Sequence, residues 1–395
     1  MFKQMIKKIK NNAKTWFLYI ILACITVNIV ATPLQIEMIN RIASYLCLIT
    51  VLMCFLYSII FDETTIQSII MLAFTCLAVG SLIITNSITY RNAVDVAIFL
   101  ELPILMFCYD REERKRVLDI VFLVFLFATV FYFSFCFNPE SYGIDITGYP
   151  FPGAYTLGYY NPNQLGLRVI SCMFILLCAV AYYKDSLIRW VYVFGVVLAV
   201  AIIYLTKSRT CLVVSFVGII LFIIQGKIQI KPIIVLAAFL VPIFVALFLL
   251  EGRAIYKDWT FLGEVFDYGR NEKFEIVFKN MTVLKYLFGD VGYHMFDNDH
   301  NAFLTIFANL GAIGCCVFFG MLMHKILKVV YAPMEPYQNT AVIGMLMLIL
   351  QSSMESTIFT AGSYISIPFF IIYLIANTYE KKALKGFEKR AHNLF

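Results

Sequence analysis

Three side chains combine a reactive type with a telling place: Arg209 in LTKSRTCL, Arg270 in DYGRNEKFE and His300 in FDNDHNAF. Imidazole titrates near neutrality, so a histidine held on a fixed element suits the removal of a proton from a hydroxyl. A guanidinium grips an anion at two points, and a helix N-terminus attracts the same charge. Arg209 stands just before a helix expected to begin at Thr210. Arg270 stands where a second helix is expected to open, a place that suits a carboxylate better than a cation unless an anion visits. His294 is the rival to His300. The carboxylates Asp297 and Asp299 beside them read equally well as a metal pair or as a helix cap, with Asn298 or Asp299 as the capping residue. No metal and no cofactor are expected.

These groups are positioned by membrane helices. The chain is 61% hydrophobic and 14% charged over 395 residues, with a mean hydropathy of +0.83. Soluble domains carry about a quarter charged residues. Apolar runs of bilayer-spanning length recur at Trp16–Leu34, Ile42–Phe61, Thr64–Thr85, Ala93–Tyr109, Val117–Phe137 and Gln164–Tyr183. They continue at Ile188–Thr206, Thr210–Gln225, Pro232–Leu250, Asn301–Ile326, Asn339–Thr357 and Gly362–Tyr379. The expected fold is therefore all-α, a single integral membrane domain over 1–395 with about twelve transmembrane helices. Lysines and arginines cluster in the N-terminal head, in alternate loops and in the tail, which places both termini on the cytoplasmic side. The net charge of +6 follows this topology and does not suggest nucleic acid. The cysteines lie mostly inside apolar runs without metal-ligand spacing and read as small core residues.

Two long loops then face outward. Residues 138–163 carry no Lys or Arg but hold Tyr142, Tyr149, Phe151, Tyr155, Tyr159 and Tyr160. These rings suit an interfacial aromatic belt. Residues 251–300 hold Phe274, Val277, Phe278, Met281, Leu284 and Phe288 at helical spacing. That periodicity predicts one amphipathic helix in the outer interface. Below His300, Leu304, Ala308, Gly311, Ala312 and Gly314 form a small-residue stripe suited to close helix packing.

Five motifs occur in a fixed order: NPNQLG at Asn161–Gly166, KSRT at Lys207–Thr210, GR at Gly269–Arg270, FGDVG at Phe288–Gly292, and HNAFLTIFANLGAIG at His300–Gly314. In this set the chain resembles the O-antigen ligase/polymerase family of bacterial polysaccharide assembly, from Asn161 onward. The resemblance implies a membrane-embedded C-type glycosyltransferase. Such an enzyme transfers or polymerises glycan from an undecaprenyl pyrophosphate donor to an acceptor hydroxyl on the outer face of the bacterial cytoplasmic membrane. The product would be an O-antigen, capsule or exopolysaccharide, and the family uses neither metal nor nucleotide sugar. By motif, the family arginines are Arg209 and Arg270, and the family histidine is His300, the expected catalytic base. Asn161, Asn163 and Arg168 at the mouth of the sixth span, with Asn301 beside the histidine, complete the expected substrate-binding set, and for such a substrate the rings of residues 138–163 suit sugar stacking as well as the aromatic belt. Partners implied are the lipid-linked glycan donor, a glycan acceptor, the bilayer, a chain-length regulator and a flippase.

Polymerase members often show glycine eleven residues after each arginine. Ile220 and Met281 stand there instead, so polymerase and ligase both stay open. The competing class is a lipid-linked oligosaccharide transporter. Transporters tend to carry internal repeats and broken helices at the membrane midplane, and no repeat is visible in this sequence.

Overall fold

The computed structural model describes residues 2–61, 111–142, 153–157, 159, 162–225, 260–261, 264–265, 281–289, 302–330, 335–352 and 366–377. The expected spans Thr64–Thr85, Ala93–Tyr109 and Pro232–Leu250 lie outside the described residues. Among the described residues the elements are α1 (Phe2–Ala31), α2 (Glu37–Phe61), α3 (Arg111–Ser134), α4 (Pro162–Tyr182) and α5 (Ile188–Leu205). They continue with α6 (Arg209–Ile224), α7 (Val283–Phe288), α8 (Ala302–Val330), α9 (Pro336–Ser352) and α10 (Ser366–Ala376). A two-residue antiparallel pair, β1 (Thr260–Phe261) with β2 (Glu264–Val265), lies between α6 and α7.

Among the described residues, five stretches are long and apolar enough to cross a membrane: Ala13–Ala31, Glu37–Cys54, Glu113–Phe137, Pro162–Tyr182 and Ile188–Leu205. Proline opens both α4 and α9, a position where its missing N–H costs no helical hydrogen bond. α4 is the central element, with 83% of its spanning window buried. It packs against α3, α5, α6, α9 and α10. The ring of Phe174 on α4 fills the space over two glycines, Gly218 of α6 and Gly344 of α9. A Cβ on either would meet that side chain at 2.5 Å and 3.0 Å respectively, so small residues set the helix spacing. By contrast α5 turns Trp190, Phe194, Val197 and Tyr204 outward, as a lipid-facing surface does.

Contacts near the helix termini give the bundle two distinct ends. At one end, the last turns of α1, α3, α5 and α9 meet the first turns of α2, α4 and α6: Arg168 bonds Asn28, Tyr155 bonds Leu205, and Gln351 bonds Cys211. At the other end, the start of α3 meets the end of α4 through Asp119 and Tyr183, and the start of α9 through Arg114 and Tyr337. There too Gln225 closing α6 bonds Thr340, and Gln338 bonds the carbonyl of Ala376 closing α10.

Three expectations are corrected. The run from Phe274 to Phe288 is not one helix. Thr282 is extended (φ −71°, ψ 163°) and caps a new, short helix α7 by accepting from the Lys285 N–H. A β-region cap with a side-chain acceptor outweighs continued periodicity there. The span Asn301–Ile326 is likewise not one straight helix, because α8 breaks at Gly311 (φ 65°, ψ −173°). A Cβ at Gly311 would lie 2.4 Å from the carbonyl of Leu287 and 2.5 Å from the Gly289 nitrogen. Glycine therefore serves both the left-handed backbone and the close approach of the α7 C-terminus, a sharper role than a smooth packing stripe. Third, Tyr155 and Tyr159 are buried rather than available to sugars or to the interface. The Tyr155 hydroxyl donates to the Tyr132 carbonyl at 2.5 Å, and the backbone N–H groups of Thr156 and Leu157 donate to the Ser141 carbonyl. This loop folds back over the end of α3 because its backbone groups find partners there. Tyr149, Phe151 and Tyr160 lie outside the described residues.

Candidate functional site

Of the residues singled out by type and motif, Arg209, Asn163 and Arg168 are described. His300, Arg270, Asn161 and Asn301 lie outside the described residues, as do His294, Asp297 and Asp299. Pro162 and Ala302, which follow Asn161 and Asn301 directly, are the first helical residues of α4 and α8.

The KSRT turn is built by two backbone choices. Lys207 takes a left-handed conformation (φ 56°), which reverses the chain after α5. Ser208 then extends (φ −73°, ψ 103°) as the N-cap of α6. Arg209 is itself the first helical residue, one earlier than expected, and is half-buried. The first N–H groups of a helix have no intrahelical partner. With an arginine on the same turn, this end of α6 attracts anions.

Gly166 brings the NPNQLG motif against that turn. A Cβ on Gly166 would sit 2.8 Å from Cys211 Sγ and 3.3 Å from Ser208 Cβ. The glycine is what allows α4 and α6 to meet at their first turns. Asn163, half-buried and one turn earlier, lies on the same side of α4. Arg168 does not: two residues beyond Gly166, it is rotated by about 200° around the helix. Its Nη1 donates to Asn28 Oδ1 on α1 at 2.8 Å, and its guanidinium carbon lies 4.6 Å from the centre of the Tyr159 ring. The structure thus puts Asn163 on the side of α4 that carries Gly166 and places Arg168 on the opposite face.

Sequence reasoning missed Cys211 and Gln351, and gave Ser208 no role beyond its place in KSRT. The Gln351 amide, fully buried on α9, donates to Cys211 Sγ at 3.0 Å. Its Oε1 and the buried Ser208 Oγ find no hydrogen-bond partner. Unmet polar groups in an interior are uncommon and costly, on the order of 1–3 kcal/mol each. The signal for Gln351 was an amide at the end of an otherwise apolar run.

Burial raises the phenols of this end. Tyr155 is pushed above the ordinary tyrosine range by desolvation first and by neighbouring Cys136 second. Tyr142 is raised by the same two causes in the same order. Both phenols therefore stay protonated at neutral pH and act as hydrogen-bond donors, Tyr142 to the Cys136 carbonyl at 2.8 Å.

The fold is thus α-helical, with five membrane-length helices among the described residues, the make-up of a multi-pass membrane protein. No protein-family model, curated protein or solved structure matches it.

Proposed function

We propose that this chain is an inverting, metal-independent glycosyltransferase of the O-antigen ligase/polymerase kind. It joins glycan from an undecaprenyl pyrophosphate carrier to an acceptor hydroxyl at the outer face of the bacterial cytoplasmic membrane. The observation that carries this reading is the contact at Gly166, which sets the NPNQLG motif against the KSRT turn. Two of the five resembling motifs thus converge on one anion-attracting helix start.

In this mechanism Arg209 and Arg270 hold the pyrophosphate, where negative charge grows as the anomeric C–O bond breaks. His300 takes the proton of the acceptor hydroxyl as its oxygen attacks the anomeric carbon from the opposite face. One glycosidic bond forms, one C–O bond to phosphate breaks, and the carrier departs as undecaprenyl pyrophosphate. Asn161, Asn163 and Asn301 supply polar contacts to the sugars. Both termini are cytoplasmic, and the loops 138–163 and 251–300 are outside.

The test is transfer by purified protein in proteoliposomes supplied with an undecaprenyl pyrophosphate oligosaccharide. Lengthened or transferred glycan should form without ion gradient, nucleotide or added metal, and in the presence of EDTA. His300→Gln should lower turnover by about 10²–10⁴-fold while donor binding is kept. Normal turnover in that variant removes His300 as the base.

A second reading is a lipid-linked oligosaccharide transporter, and the break in α8 at Gly311 favours it, since broken helices line transporter sites. Here the break is filled by the backbone of Leu287–Gly289. Movement of labelled donor across the vesicle membrane with no new glycosidic bond would select the transporter.

A further inference from the structure

The motif resemblance begins at Asn161, so α1 and α2 stand outside it. Yet they reach the NPNQLG segment through a chain of side chains. Asn28 on α1 is 3% exposed. Its Oδ1 accepts from Arg168 Nη1 at 2.8 Å, and its Nδ2 donates to Asn40 Oδ1 at the start of α2. Arg168 in turn lies under Tyr159 at 4.6 Å, a cation–π contact. Tyr159 precedes Asn161 by two residues, and its own N–H donates to the Thr156 carbonyl at 2.9 Å.

The chemistry gives this relay one direction. A guanidinium has donors only, so Asn28 must turn its carbonyl oxygen to Arg168. That choice points the Asn28 NH₂ at Asn40, which must then answer with its own oxygen. The Asn28 amide is thus used at both ends and its orientation is fixed by its partners. Side chains of this kind among apolar helices are costly to hold unless they bond one another.

We propose that Asn28 is a positioning residue. Supported by Asn40, it aims Arg168 at Tyr159 and so fixes the loop at Tyr155–Leu157 and Tyr159, just ahead of the motif proposed to meet donor glycan. The α1–α2 hairpin is by this account part of the substrate-binding machinery and not only a membrane anchor. Its link to substrate binding rests on the transfer reaction proposed above, whereas the ordering of Tyr159 by Asn28 does not.

The experiment compares wild type, Asn28→Leu, Asn40→Leu and Asn40→Asp in lipid nanodiscs. Amide exchange is followed over residues 155–159 by mass spectrometry, alongside KM and kcat for the lipid-linked donor and the melting temperature. Asn28→Leu removes a hydrogen bond to a charged group. It should speed exchange across 155–159 by about tenfold and raise KM by about tenfold, with kcat within about twofold. Asn40→Asp keeps the acceptor oxygen and should behave as wild type, whereas Asn40→Leu should fall between wild type and Asn28→Leu. A folded Asn28→Leu with wild-type exchange over 155–159 overturns the proposal. So does an Asn40→Asp variant as defective as Asn40→Leu. If Asn28→Leu does not fold, the Asn40 pair decides. If wild type transfers no glycan, the function reading fails, while the exchange pattern still judges the relay.

Discussion

The two ends of the helix bundle solve the same problem in opposite ways. At the end of Tyr337, aromatic rings interlock edge to face: Tyr182 on Tyr337, Tyr182 on Tyr183, and Phe122 on Tyr183 and Tyr192. Polar groups there pair across helices, Tyr183 to Asp119 and Arg114 to Tyr337, although Asn339 Oδ1 finds no partner. At the end of Arg209, helices meet through a missing side chain at Gly166, and the buried oxygens of Ser208 and Gln351 are left without a partner. An interior gives up such hydrogen bonds only at a cost. Since Asn339 carries the same cost at the first end, packing is what separates the two: interlocked rings at one, a glycine contact between two helix starts at the other. We read the first end as a latch that holds the bundle closed and the second as the place of the proposed transfer.

The sharpest way to break this contrast is to make the same substitution at both ends. Arg209→Lys keeps charge but loses the planar two-point fork. Glycan transfer should fall by about 10–100-fold, the loss of one or two charge-assisted bonds. Arg114→Lys should leave transfer within about twofold, because its partner is a phenol in the latch. Equal losses in the two variants, measured at equal amounts of folded protein, would erase the distinction between the ends.

A methyl group at the contact of the two motifs is expected to have the next largest effect. Gly166→Ala puts a Cβ 2.8 Å from Cys211 Sγ, and overpacking of this kind costs about 1–3 kcal/mol. The melting temperature and transfer should both drop. Cys211→Ala in the same chain removes the sulfur and should recover most of the stability. If Gly166→Ala melts as wild type does, α4 and α6 are not in close contact there.

Much of this architecture was legible in the sequence. The span Gln164–Tyr183 appears as α4 and Ile188–Thr206 as α5 with little change, because apolar length and turn residues fix a membrane helix locally. The joining of NPNQLG to KSRT was legible only as a shared side of the membrane. Their contact depends on Gly166 meeting Cys211 across 45 positions of chain, which no local pattern encodes. Proximity in sequence groups Arg168 with Asn163, yet helical rotation separates them onto opposite faces of α4. The break at Gly311 was hidden for a related reason. Its glycine reads as one more small residue until the backbone of Leu287–Gly289 is seen against it.

A smaller effect is expected within the latch itself. Tyr183→Phe deletes the hydroxyl that bonds Asp119 but keeps the ring stacked on Tyr192 at 5.4 Å. Stability should fall by about 1–2 kcal/mol, read as a lower melting temperature, with KM and kcat unchanged. A change in KM would mean that the latch reaches the site.

The smallest effect at neutral pH concerns the folded loop over α3. Burial raises Tyr155 and Tyr142 above the ordinary phenol range, whereas in the unfolded chain a phenol titrates near ~10. The folded state therefore keeps protons that the unfolded state has already released at high pH. Their contribution to stability is fully present below about pH 10 and is lost as pH rises through the folded-state values. Between pH 6 and 9 the two groups should contribute no slope, and melting temperatures should decline only on the alkaline side. Tyr155→Phe removes one titrating group and its bond to the Tyr132 carbonyl. It should melt lower at neutral pH and lose less between about pH 10 and 11 than wild type does. Tyr142→Phe should do the same more weakly, since Tyr142 is only half-buried. An alkaline decline of the same steepness in wild type and in Tyr155→Phe would show that this phenol is not held protonated by the fold. The loop would then lie open at the Arg209 end, and the buried placement of its tyrosines would be wrong.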